Sequence, residues 1–156
     1  MMQAVAIEAD VERTIGLLGG EKAIRAKVRN AINAHELLLR GLPADALLHL
    51  VSEVGFLEHG DALQKAIGLS LRTLQRHKAG SGPQLLSVEQ GSRTWRFAEI
   101  FAHAIDVMGS EEAAEAWMNR PAIGLSNRKP VDLLATSAGA EAVEEYLTRL
   151  EYGVYA

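Results

Sequence analysis

Residues 61–80 read DALQKAIGLSLRTLQRHKAG, and the fold turns on this stretch. Leu63 and Ile67 are four apart, so they share one face of a short helix. Gly68 follows at the point where a tight turn needs a left-handed backbone angle, which costs glycine little. Leu69 is placed to plug the corner. Ser70 is a natural N-cap for a second helix, which Leu71 and Leu74 anchor inward. This is the punctuation of a helix-turn-helix. It leaves Arg72, Thr73, Gln75, Arg76 and His77 facing out, with Lys78 at the end. Arginine pairs with guanine through two hydrogen bonds, glutamine does so with adenine, and threonine touches base or phosphate. The free amides beginning at Ser70 suit a phosphate. Arg93 and Arg96, on the next long helix, are expected to grip the DNA backbone. Gln64 stands where such helix pairs usually carry a small residue, which predicts a less intimate crossing.

Helical periodicity extends in both directions from this motif. Val11, Ile15, Leu17 and Leu18 form an apolar run that stops at Gly19-Gly20. Ile24, Val28, Ala31, Ile32, His35 and Leu38 step by three and four, predicting one amphipathic helix that ends near Gly41. Pro43 sits at a first helical turn; Leu47, Leu48, Leu50, Val51 and Val54 follow, and Gly55 closes that helix. The stretch SGP at 81–83 reads as linker. Ser87 and Gln90 form a capping box for a long helix that runs to Gly109. Ser110 caps another, with Glu111 and Glu112 at its positive end. Residues 120–130 read as loop. Pro130–Leu134 suits a single turn, and Ser137–Leu150 forms a last helix. The fold class is all-α, a helical bundle, with only the final GVYA open to an extended conformation.

Composition narrows the function classes. The 156 residues are 48% apolar and 23% charged, which suits a folded core and argues against disorder. There is no cysteine, which rules out disulfides and thiolate metal sites. The opening segment carries Glu8, Asp10 and Glu12 and does not read as a secretory leader. No run is long enough to span a membrane. Together these predict a cytoplasmic protein with no membrane partner. Charge is unevenly placed: residues 62–98 carry net +5 within a chain of net −4. The segments before and after carry −3 and −6. A basic island on an acidic protein suits a polyanion. His35, His49, His59, His77 and His103 lack metal-ligand spacing, no glycine loop precedes Lys-Ser or Lys-Thr, and no nucleophile–base pair stands out. No catalytic residue, metal, cofactor or small-molecule substrate is expected. Trp117 is expected in the core, and Trp95 and Phe101 in the core or at a dimer interface.

From Ser87 onward the sequence resembles the domain shared by the Xre, MbcA and ParS antitoxins. The matching features are the helix of Arg93, Gly109 followed by EEAAEAWM, Pro121, Leu125, and KPVDLLATSAGAEAVEEYL ending in YG. The preceding LSLRTLQR resembles the Xre-type helix-turn-helix of the same family, so the likeness covers roughly residues 42–156. It implies three regions: an N-terminal helical region 1–41, a DNA-binding helix-turn-helix 42–86, and a small helical toxin-binding domain 87–156 with a C-terminal tail. It further implies the antitoxin of a type II RES-Xre pair, which neutralises an NAD-consuming RES toxin by contact. Such an antitoxin represses its own operon as a DNA-binding oligomer, here expected to be a homodimer on operator DNA. Two positions depart from the family pattern. Ala122 stands where asparagine often follows the loop proline, losing a side-chain hydrogen bond. Asn127 stands where glycine is frequent, and asparagine tolerates the left-handed angle.

The chain closes on RLEYGVYA. In the family the tail reaches toward the toxin's active-site pocket, so Glu151, Tyr152, Gly153, Val154, Tyr155 and Ala156 are the expected toxin-binding residues. Ser70, Arg72, Thr73, Gln75, Arg76, His77 and Lys78 are the expected DNA-binding set. The competing readings are a tail folded onto its own last helix, a stand-alone helix-turn-helix repressor without a toxin partner, and an adaptor that no longer binds DNA.

Overall fold

The computed structural model describes residues 2–81 and 84–153. Among these residues ten α-helices follow one another: α1 Met2–Leu17, α2 Gly20–Ile24, α3 Ala31–Arg40, α4 Ala44–Glu53, α5 Ala62–Ile67, α6 Leu71–Lys78, α7 Val88–Met108, α8 Glu111–Met118, α9 Pro130–Leu133 and α10 Ser137–Glu151. Two 3₁₀ turns, Gly55–Glu58 and Ile123–Leu125, complete the series. Among the described residues there is no strand. Isolated bridges join Pro43 to Leu85 and Ala122 to Arg128.

The helix starts follow local chemistry. Ser70, Ser87, Ser110 and Thr136 each accept a hydrogen bond from the amide three residues on, satisfying one donor that the first turn leaves free. Pro130 opens α9 at a position where its missing N–H costs nothing. The one helix expected over Ile24–Leu38 is two. Arg25 adopts φ 56°, a left-handed angle that stops α2, and Asn30 caps α3 by accepting from the Asn33 amide. The apolar spacing carried across the break because Ile24, Val28, Ala34 and Leu37 all reach the same core.

α7 is the axis of the molecule. Its buried side chains include Trp95, Phe97, Ala98, Ile100 and Phe101, and α1, α3, α5, α8 and α10 pack around it. Phe97 stacks on Phe101 with ring centroids 6.0 Å apart and meets Phe56 at 6.3 Å, distances at which aromatic pairs add to simple burial. Trp95, Phe101 and Trp117 are all core residues. Buried apolar side chains from Ile15 to Leu147 form a single cluster, so the three stretches of chain share one core.

The helix-turn-helix sits on this axis through one charged contact. Gly68 ends α5 at φ 80°. Beneath it the Arg93 guanidinium of α7 donates from Nη2 to the Lys65 carbonyl at 2.6 Å. A β-carbon at position 68 would collide with Arg93 Nη1. Gly68→Ala is therefore expected to destabilise by about 1–3 kcal/mol from backbone strain and the clash together. Thermal unfolding of Gly68→Ala, Arg93→Ala and the double variant should show non-additivity, because Arg93→Ala removes the clash. Strict additivity would mean that the two positions do not touch.

Candidate nucleic-acid interface and toxin-binding surface

α6 presents a polar outer face because its apolar residues are spent on the core. Leu69 and Leu74 are buried and Leu71 is half-buried. Ser70, Arg72, Gln75, Arg76 and Lys78 are exposed, and Thr73 is partly so. Ser70 Oγ accepts from the Thr73 amide at 3.2 Å and lies 3.0 Å from Thr73 Oγ1. Those two hydroxyls therefore hold the helix start as a pair. Gln64 is exposed, while Ala62, Leu63, Ala66 and Ile67 are buried. The long amide points away from the core, and alanines supply the small residues on the buried face.

Two basic residues are not where the sequence pattern puts them. His77 is buried, only 9% exposed, rather than on the outer face. It follows Leu74 by three positions, which places it on the inward stripe of α6. Its Nδ1 is buried and has no hydrogen-bond partner among the described residues. Arg93 is drawn under the helix-turn-helix corner, not out toward a phosphate. Lys65 bridges Asp61 at 3.3 Å and Asp132 of α9 at 3.2 Å. These carboxylates raise the lysine pKa, the Asp132 hydrogen bond first. Lys78 is 3.5 Å from Glu58. Among the described residues, Arg72 and Arg76 enter no ion pair. Among the described residues, the island's cations outside any ion pair are thus Arg72 and Arg76 on the exposed face of α6, with Arg93 and the half-buried Arg96 on α7. Sequence spacing did not reveal this because Asp132 lies 67 residues from its partner.

At the other end, α10 is tied to α7 by a histidine that the sequence did not single out. His103 Nδ1 lies 2.9 Å from Glu144 Oε2, and its Nε2 lies 3.4 Å from Glu151 Oε2. Glu144 and Glu151 are two helical turns apart, so one imidazole spans the last stretch of α10. The hydrogen bond to Glu144 raises the His103 pKa, opposed by desolvation and aided by Glu151. The nearby Glu99 carboxyl is also raised, by desolvation and then by the charge of Glu144. Beyond this clamp Tyr152 is 75% exposed and Gly153 has φ 70°. Of the expected toxin-binding residues, Glu151 is thus engaged by His103 and Tyr152 is free in solvent. Val154, Tyr155 and Ala156 lie outside the described residues.

The loop before α9 keeps its turn by the means its sequence offers. Ser126 and Asn127 both take left-handed angles, φ 56° and 61°. The Ala122 carbonyl accepts from the amides of Leu125 and Asn127 at 3.0 and 2.9 Å, and its own amide donates to the Arg128 carbonyl at 3.1 Å. Backbone groups thus close the loop where an asparagine side chain is absent. No helix among the described residues is long and apolar enough to cross a membrane, and no cluster of potential metal ligands occurs among them.

Comparison with known proteins matches two successive parts of the chain, which meet within α7. Residues 34–99 match the Xre-like helix-turn-helix domain of Xre antitoxins. Residues 103–153 match the C-terminal toxin-binding domain of the Xre/MbcA/ParS antitoxins. The chain is similar to Antitoxin Xre of Photorhabdus laumondii, 30% identical over 119 residues, covering 76% of this chain and 78% of that one. It is similar to Antitoxin Xre of Yersinia enterocolitica, 35% identical over 92 residues, covering 58% and 61% of the two chains. Antitoxin Xre of Pseudomonas putida is 33% identical over 85 residues, covering 54% and 52%.

The clamp makes a signed prediction. A histidine raised from its ordinary value of 6.5 by a carboxylate contributes stability that is fully present below that value. The contribution is lost as pH rises through the folded pKa. Thermal unfolding from pH 6 upward should therefore show a fall in stability that Glu144→Gln or His103→Gln removes. An identical pH profile for wild type and Glu144→Gln would dissociate His103 from that fall.

Proposed function

The chain belongs to the Xre/MbcA/ParS antitoxin family, and from that premise we propose that it neutralises a RES-domain, NAD-consuming toxin and represses its own operon. The division of labour we assign is DNA binding to residues 42–86 and toxin binding to 87–156. Residues 1–41 cover α7 and α4 through α1 and α2. The protein is read as a cytoplasmic regulator of a type II pair, without enzymatic activity of its own.

The observation that carries the DNA side is the face of α6. Arg72 and Arg76 are exposed and, among the described residues, not paired with any carboxylate, on a helix whose start is capped and whose inner face is anchored. Ser70, Thr73, Gln75 and Lys78 complete the proposed contact set. His77 supports it from within as packing. Two such faces in a homodimer would address two half-sites of an operator, as helix-turn-helix dimers do. The toxin side rests on the root of the tail. Next to Glu151, which His103 contacts, Tyr152 is 75% exposed and so available to a partner. Apolar tail residues buried in a toxin pocket would each contribute roughly 1.5–3 kcal/mol before ordering costs.

Two measurements test this reading. In Arg72→Ala with Arg76→Ala, operator binding should weaken and the slope of log affinity against log salt should shrink by about 2 units, since fewer counterions are released. An unchanged slope takes these arginines out of the interface. Deleting Tyr152–Ala156 should leave the fold and operator binding intact while NAD consumption by the co-produced toxin is restored. If the truncated chain inhibits as well as the full one, the tail does not obstruct the toxin. Absence of any inhibition by the full chain would favour a stand-alone repressor.

A further inference from the structure

The most exposed large apolar side chain among the described residues is Ile123, at 89%. A lone exposed isoleucine on a mobile loop would mean little, but this one is held out by construction. The loop is closed at its base by the Ala122–Arg128 bridge and by the two amides donated to the Ala122 carbonyl. Leu125 is buried and pins the inner side. Gly124 lies flat on the ring of Tyr146, where a β-carbon would come within 2.6 Å of the ring. Tyr146 in turn packs on Trp117, centroids 6.2 Å apart. The knob is thus braced by an aromatic pair, and little conformational entropy remains to be lost when it meets a partner.

Its surroundings are charged in one sense. Arg120, Arg128 and Lys129 lie on the two limbs of the loop, and no acidic residue occurs between Glu115 and Asp132. Arg120 and Arg128 are exposed. None of the three enters an ion pair among the described residues. This stands against a segment, 99–156, whose net charge is −6. An apolar knob with a cationic rim has the organisation of an interface anchor: a central residue for a pocket and charges that set orientation and encounter.

We propose that Ile123 is a second anchor for the toxin, remote in sequence from the tail, and that it enters an apolar pocket rimmed by carboxylates. The proposal rests on the toxin-binding reading of residues 87–156 and adds to it the chemistry of the partner's surface. The tail and the knob then have separate duties: the tail obstructs, and the knob holds.

The test uses the full chain and a catalytically inactive RES-domain toxin from the same operon. Calorimetric affinity is measured for wild type, Ile123→Ser, Ile123→Val, and Arg120→Glu with Arg128→Glu. Ile123→Ser is expected to weaken binding roughly tenfold or more, as truncation of a central anchor does, with thermal unfolding unchanged because the side chain is exposed. Ile123→Val should retain most of the affinity. The charge reversal should weaken binding most at low salt. Wild-type affinity in both Ile123→Ser and the charge-reversed chain overturns the proposal while leaving the toxin-binding reading intact. No binding by the wild-type chain overturns that reading and the proposal with it. If Ile123→Ser instead dissociates a dimer of the chain alone, or weakens operator binding, the knob serves another surface and the proposal is wrong.

Discussion

The Arg93 guanidinium is the contact on which the arrangement of the molecule depends. It reaches from the central helix α7 into the space that Gly68 leaves open, and it donates to the Lys65 carbonyl at the end of α5. A helix end carries partial negative charge on its unsatisfied carbonyls, so a cation there is favourable. The same placement leaves Arg93 Nε buried without a partner among the described residues, a cost that the charge-assisted bond must exceed. Lys65 repeats the theme from the other side by bridging Asp61 and Asp132. The helix-turn-helix is thereby joined to α7 and to α9 through charges that sequence composition would assign to DNA.

Much of the architecture was legible because it is local. A serine or threonine cap acts on the amide three residues away, so Ser70, Ser87 and Ser110 announce α6, α7 and α8 directly. Asn127 was readable as a left-handed residue for the same reason, and its φ of 61° agrees. Periodicity does not show the break between α2 and α3 because apolar spacing survives it. The cue available was Asn30, a good N-cap inside what read as a continuous helix.

The candidate surfaces were less legible because they depend on partners distant in sequence. Nothing in the spacing of α6 says that Lys78 meets Glu58 or that Lys65 meets Asp132. A three-residue step from Leu74 puts His77 on the buried stripe of α6, while its basic neighbours alone point to the outer face. His103 carried no local signal. Its two carboxylates lie 41 and 48 residues away, and only the packing of α10 on α7 brings the three together. The family likeness supplied what local chemistry does not, the sense of which end meets which partner.

The single core has a consequence for how such a protein tolerates change. Ile15, Leu63, Phe97 and Val143 belong to one apolar cluster. In a small protein with such a core, unfolding is expected as one cooperative event. The two working surfaces then have one shared reserve of stability. A loosening substitution beneath α6 lowers the population competent at the tail, and a flaw near α10 depletes the population competent at α6. Mutational defects at either end would be correlated through abundance of the folded chain, even where the two surfaces never touch the same ligand.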